Sequence, residues 1–461
     1  MAEGFTCAVD DELFRSACEG LDFYGEHESK RYCVLHYPGE EKNIEDFLKV
    51  KKSKLDRQDY DFGGTVFPEG TADFEGREFD ATTEFSGATF LGEAYFPVAK
   101  FSGCSTSFSR TQFSGRTSLR GAQFSGWTYF SGARFSGEWT DFSGAKFSGE
   151  RTDFSEAEFA SSGETRFQGS TTFEKMVLFN NAAFKEKVVF EGITEGSVFG
   201  PQAQAQFDEL EIEKPALLKF NTVVLRPGWF INAPNVRNVD FTDVEWAGIS
   251  DKPADFNFKH SIQNLKGRVR AATEALKQRE LRQAWHKLTV NALDNEIETL
   301  KEREAVGSKY PVLLYTEPHT ILAQACRRLS AKAEEDREYP RANEFHYWSM
   351  DALRKKGGRS LGFIGFFYWA LSGYGVRAAR ALSVLVAMCA AFALLYMVLG
   401  PPKLQDLGQA VVYSLGAVAR LNPEPRPTEP GLFQLLVTAE GILGPLQIAL
   451  LALAVRRQVL R

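Results

Sequence analysis

The chain has 461 residues, a formal net charge of −6 at pH 7, and 39 Phe against 14 Tyr. That length holds two to four domains with buried cores, and an acidic balance gives no general reason to expect nucleic acid, whose phosphates need clustered Lys and Arg. Six cysteines at irregular spacing argue against a disulfide framework and for a reducing compartment.

The first segment, residues 1–54, begins "MAEGFTCAVDDELF", without the basic and apolar regions of a signal peptide. It carries Cys7, Cys18, Cys33 and His36, the last two in "RYCVLHYPG". Three thiolates and one imidazole make a tetrahedral zinc set, and a Cys-x2-His pair can chelate from one turn. Zinc bound there would be structural, because protein fills all four positions. Three free cysteines and a surface histidine are the alternative.

From Phe62 a rhythm sets in. Apolar centres fall at 62, 67, 74, 79, 85, 90, 96, 101, 108, 113, 119 (a Leu), 124, 130, 135, 142, 147, 154 and 159. They continue more loosely through Phe167, Phe173, Phe179, Phe184 and Phe190. Steps of five alternate with six or seven, which neither a helix nor a strand can keep on one side. A coil that turns a corner about every five residues can. Each centre then points inward and stacks on its equivalent in the next coil. Ala133 and Ala145 leave room inside the wall, and Ser-Gly pairs supply turns.

The pattern "F-S-G-A-x-F" resembles the pentapeptide-repeat family over roughly residues 60–190. The resemblance implies a right-handed quadrilateral parallel β-helix. Twenty-three centres at four per coil predict about six coils, and a stack roughly 28 Å long. Residues 201–250 keep weaker strand character and are expected to close or cap the solenoid, which places this domain at 55–250.

Residues 251–360 form a helical linker. "AATEALKQRELRQAWHKLTVNALDNEIETLKERE" has helical periodicity. A later pair of helices breaks around Tyr339-Pro340, in a segment similar to one found in pentapeptide-repeat proteins that carry a membrane domain. His346, Tyr347 and Trp348 are expected to pack rather than catalyse.

Residues 361–461 read as a membrane domain. The stretch "ALSVLVAMCAAFALLYMVLG" is about 30 Å of charge-free helix, which gives a span at 378–400. A second span at 431–455 contains Glu440. An aromatic, Gly-rich stretch at 361–376 predicts an interfacial helix. Arg377, Arg380, Arg456, Arg457 and Arg461 flank the hairpin outside its near-neutral loop, so the positive-inside rule puts both ends of the hairpin, and the N-terminal domain, in the cytoplasm. A multi-pass protein of a bacterial plasma membrane is the expected location.

Between the spans, a short re-entrant segment at 404–421 precedes the Pro-rich "NPEPRPTEP". This order resembles the pore module of two-span potassium channels, and the resemblance implies a homo-oligomer, by analogy a tetramer. The filter position reads "SLGAVARLNPEP", where only Gly416 hints at a filter, so potassium selectivity is not expected. A carboxylate within a span is a functional-site candidate. At 100° per residue Glu440, Gly444 and Gln447 share one face, with Pro445 beside them where a hinge would sit. That face suits either a pore or close helix packing.

No nucleotide loop, zincin motif, nucleophile elbow or Ser/His/Asp set is present, so catalysis is not expected. The leading functional expectation is an oligomeric, ion-channel-like or membrane-permeabilising module with a cytoplasmic β-helix that senses or assembles. The alternative is a non-conducting, membrane-anchored scaffold that offers the β-helix to a protein partner. A third, an acidic DNA mimic of the kind known in pentapeptide proteins, fits poorly: residues 56–200 hold 21 acidic and 13 basic side chains, interleaved rather than massed.

Overall fold

The computed structural model describes residues 6–9, 12–39, 41–193, 198–200, 202–215, 217–247, 292–305, 317–356, 359–421, 423–425 and 431–459. The chain divides into two compact units, Met1–Ala247 and Gly248–Arg461.

The first unit is a parallel β-solenoid. Two-residue steps such as Gln112–Phe113, Arg134–Phe135 and Glu158–Phe159 pair in parallel and in register, coil upon coil. They build four faces of five, six, seven and eight strands, so the coil is four-sided. The eight-stranded face runs from Ala72–Asp73 to Asp240–Thr242 and gives about eight turns. The Phe centres alone predicted about six. The difference lies after residue 200, where Leu218–Asn221 and Asp240–Thr242 extend the same face. Apolar residues other than Phe fill many of the inward positions there.

Inside, the rings form four stacks, in which Leu119 and Ile212 each take the place of a ring. Phe113 and Phe135 lie 4.9 Å apart with planes 1° apart, and Phe124 and Phe147 lie 4.9 Å apart at 2°. Rings of neighbouring stacks meet edge-on, as Phe130 meets Phe142 at 88°. Each contact adds about 0.5–1.5 kcal/mol beyond the area it buries. Ala133, Ala145 and the threonines Thr106, Thr128 and Thr152 fill the remaining space and are buried. At the far end, Trp246 closes over Phe230 and Phe241.

The first coil of a solenoid exposes an unpaired edge, and solenoids need caps. Here helix α1, Ile44–Asp56, supplies one, with Asn43 as N-cap accepting from the Asp46 N–H. Lysines on and just before α1 provide ammonium protons where a preceding coil would provide backbone N–H groups. Lys42 donates to the carbonyls of Leu35 and Val66, and Lys51 to those of Thr71 and Asp73. Lys54 donates to Ala17 O and Asp59 Oδ2. All three side chains are buried. Burial pushes the Lys42 ammonium down to about 7 and that of Lys51 to about 8. Lys51 also stands 4.1 Å over the Phe74 ring, the outermost of its stack.

The second unit is helical. Helix α2 (Ala292–Ala305) is the described part of the predicted linker helix, whose earlier residues lie outside the described ones. Helices α3 (Pro318–Glu335) and α4 (Tyr339–Lys356) pack as a hairpin, with the break at Tyr339-Pro340 placing the proline in the first turn of α4. Tyr347 and Trp348 are buried. Helix α5 (Arg359–Ser372) leads through a tight turn into α6 (Ala378–Leu399); the short α7 (Leu407–Val418) and the long α8 (Leu432–Val459) follow. Helices α6 and α8 are long and apolar enough to cross a membrane, and little of either is buried within the chain. Tyr396, Leu404, Ala410 and Tyr413 form a small core shared by α6, α7 and the turn between them.

Candidate metal centre and the polar cluster of the apolar helices

Cys7, Cys18, Cys33 and His36 come together. Their ligand atoms all lie within 4.8 Å of one another. Cys7 precedes the seven-residue 3-10 helix Glu12–Cys18, which ends in the second ligand; Cys33 and His36 follow the hairpin Gly25–His27/Lys30–Tyr32 and share one turn. His36 Nδ1 stands 3.5 Å from Cys7 Sγ and 3.3 Å from Cys33 Sγ. A tetrahedral zinc with ordinary bond lengths would set sulfur and nitrogen about 3.6 Å apart. The other ring nitrogen, Nε2, donates to Gly63 O at 2.8 Å, since a carbonyl can only accept. That bond fixes the tautomer, leaves Nδ1 free to ligate, and anchors the centre to the first coil. The Cys33 N–H points at Cys7 Sγ from 3.3 Å.

Hydrogen bonds from Cys18 and Cys33 hold the Cys7 thiol well below its ordinary range, and the same network, with burial, pushes Cys33 up. Burial lowers His36, but bonds to Cys18 and Cys7 outweigh it and raise the imidazole to about 9. A cation entering the cluster therefore displaces protons. Cys7, Cys33 and His36 are buried and Cys18 is half-buried. The four residues could hold a metal such as zinc in a closed set, which suits structure rather than catalysis.

The second group of predicted residues lies on α7 and α8. Glu440 is completely buried. Tyr396 Oη of α6 donates to its Oε2 at 2.5 Å, and the Ser414 hydroxyl of α7 bonds its Oε1 and also Cys389 O at 3.2 Å. Gln447 Nε2 donates to Leu371 O at 3.0 Å and to Ala381 O at 2.7 Å, joining α8 to α5 and α6. Gly444 admits the end of α7: a Cβ there would lie 2.9 Å from Val418 Cα. The shared face of Glu440, Gly444 and Gln447 is thus turned onto neighbouring helices of the same chain. Pro445 sits inside α8, which continues through it. Gly416 lies within helix α7 with Pro423 against it, in helical backbone rather than in an irregular loop.

Sequence reasoning missed the partners. Ser414 and Tyr396 were visible as rare polar groups in apolar helices, but the Glu440 partnership depends on how the helices pack. It also missed the bonds that fasten α4. Arg377 makes two bonds to Glu344, at 2.6 and 2.8 Å, and Asp351 accepts from Arg354 and from Tyr374 Oη. Asn343 donates to Arg457 O at 3.1 Å. Helix α4 is therefore tied to both the start of α6 and the end of α8.

No curated protein and no solved structure matches this chain. Residues 85–134 and 99–146 match the family described as pentapeptide repeats (9 copies). The matched residues lie within the coils whose rings stack as described, so over that stretch the chain is built of pentapeptide repeats.

Proposed function

We propose that this protein is a membrane-anchored, non-conducting scaffold that presents a rigid solenoid to a protein partner on the cytoplasmic side of a bacterial plasma membrane, without catalysis of its own. Helices α6 and α8 would be the spans and α7 a re-entrant element between them. Zinc in the Cys7/Cys18/Cys33/His36 set would hold the start of the solenoid closed. One observation carries the choice of scaffold over pore. The buried polar side chains of α8 are satisfied within a single chain, where Glu440 meets Tyr396 and Ser414 and Gln447 meets two carbonyls. Most outward side chains, among them Leu394, Val398, Leu435, Ile442 and Leu446, are apolar and suit lipid.

The tetrameric pore keeps one observation in its favour, a short apolar helix seated against both spans. Irregular backbone after such a helix needs shielding by other copies. The test is the mass of the purified protein–detergent complex by light scattering. A monomer supports the scaffold, because two spans cannot enclose water; a stable tetramer supports the pore.

A further inference from the structure

Where α5 meets α6, the chain gathers arginines that its own carboxylates do not balance. Arg377 is taken by Glu344 and Arg354 by Asp351. Arg380, three residues further along in α6, makes no ion pair among the described residues. One of its nitrogens donates to Trp369 O at 3.1 Å, and its guanidinium stands 5.1 Å over the Trp369 ring, which also carries Arg354 at 4.9 Å. The last turn of α8 reaches the same level. Arg457 Nη1 lies 3.5 Å from Tyr374 O, and Arg456 is its neighbour. Neither is ion-paired among the described residues. Five guanidiniums thus face two carboxylates in one layer at the end of both long apolar helices.

The same layer is apolar on its outer side. Helix α5 buries Ser372 and packs Tyr368 on Tyr374 and Trp369 on Tyr347, yet exposes Ile364, Phe366 and Phe367. It runs into α6 through only the turn at 373–376, so it lies at the depth where α6 begins. An apolar helix surface at that depth, bordered by unbalanced arginines, is complementary to an anionic leaflet.

We propose that α5 and this arginine layer form a docking surface for an anionic phospholipid. Arg380, Arg456 and Arg457 face the headgroup phosphate, and Ile364, Phe366 and Phe367 lie among the acyl chains. Trp369 holds Arg380 in place by its ring and its carbonyl oxygen, so that the guanidinium's remaining donors stay available. This inference rests on the membrane reading above.

The experiment uses the full chain purified in detergent and exchanged into mixed phosphatidylglycerol and phosphatidylcholine, with retained lipid counted by native mass spectrometry. The expected result is preferential retention of phosphatidylglycerol, reduced about fivefold by each of Arg380→Gln, Arg456→Gln and Arg457→Gln. The double variant Phe366→Ser/Phe367→Ser should lower retention of both lipids and leave the preference intact. Equal retention of the two lipids by inserted protein overturns the inference and leaves the anchor standing. So does displacement of phosphatidylglycerol by millimolar inorganic phosphate, which would mark a free-phosphate site. Arginine variants that keep the wild-type preference overturn it as well. A chain that floats with neither kind of vesicle overturns the membrane reading itself.

Discussion

A Cβ built on Gly137 would lie 1.9 Å from the carbonyl oxygen of Gly115, one coil below. The same close approach joins Gly126 to Gly103 and Gly149 to Gly126. At these three positions the backbone of the coil below leaves room only for glycine. The other glycines of the "FSGA" pattern behave differently. Gly132 has φ +66°, but Arg110 and Glu156 take the equivalent place with φ 57° and 61°. Two glycines that look alike in the sequence thus answer to different physics. Gly137→Ala should destabilise the solenoid by about 3 kcal/mol or more, by forcing backbone apart. Gly132→Asn should cost about 1 kcal/mol or less, because Asn tolerates the left-handed region. Urea unfolding of the two variants separates the cases.

Phe135 stacks between Phe113 and Phe159 and meets Phe130 and Phe142. Phe135→Ala leaves a cavity in mid-stack, and about 3–5 kcal/mol of stability should be lost. Phe135→Leu should lose less, as Leu119 already occupies a centre in the native wall and is buried there. Thermal unfolding followed in the far ultraviolet checks both.

The metal centre predicts one zinc per chain by elemental analysis and, after exchange, the absorption bands of tetrahedral cobalt. Cys33→Ser or His36→Gln should abolish binding, whereas Cys18→Ser, at the half-buried ligand, should weaken it. Chelation should expose the start of the solenoid to protease while the later coils stay protected, since His36 ties the centre to Gly63 of the first coil. Unchanged protection after complete metal removal would remove the structural role.

Lys51 gives a pH dependence with a definite sign. Burial lowers its folded-state value to about 8, against an ordinary value of 10.5. The folded chain thus binds fewer protons than the unfolded one between those limits, and stability rises with pH there. The cost of burying the charge is fully present below pH 8 and is relieved toward pH 10.5. The relief is about 3 kcal/mol at most. Lys51→Met should remove that part of the pH profile; a profile identical to wild type would mean the ammonium is solvated.

Much of this was legible in the sequence. The Phe rhythm can be read because each coil repeats one inward position per face, and the two long helices because their composition is uniform over the length of a span. The Cys/His set was legible as residue types, although its proximity depended on a hairpin and a 3-10 turn that short-range patterns do not specify. The lysines of "KVKKSK" were not legible. Their placement at 51 and 54 looks like an ordinary solvated helix face, and only the open edge of the first coil explains their burial. The orientation of Glu440 was equally hidden. Helical spacing shows that Glu440 and Gln447 share a face but not what lies opposite, and here it is Tyr396, Ser414 and backbone carbonyls of the same chain.

That orientation makes the central claim open to one direct measurement, ion flux through the purified protein reconstituted in liposomes, with wild type beside Glu440→Gln. The scaffold account predicts no flux above that of empty vesicles for either protein, with Glu440→Gln changing stability alone. Flux in the wild type that Glu440→Gln alters in rate or ion selectivity would contradict it, and would place Glu440 at a conducting path.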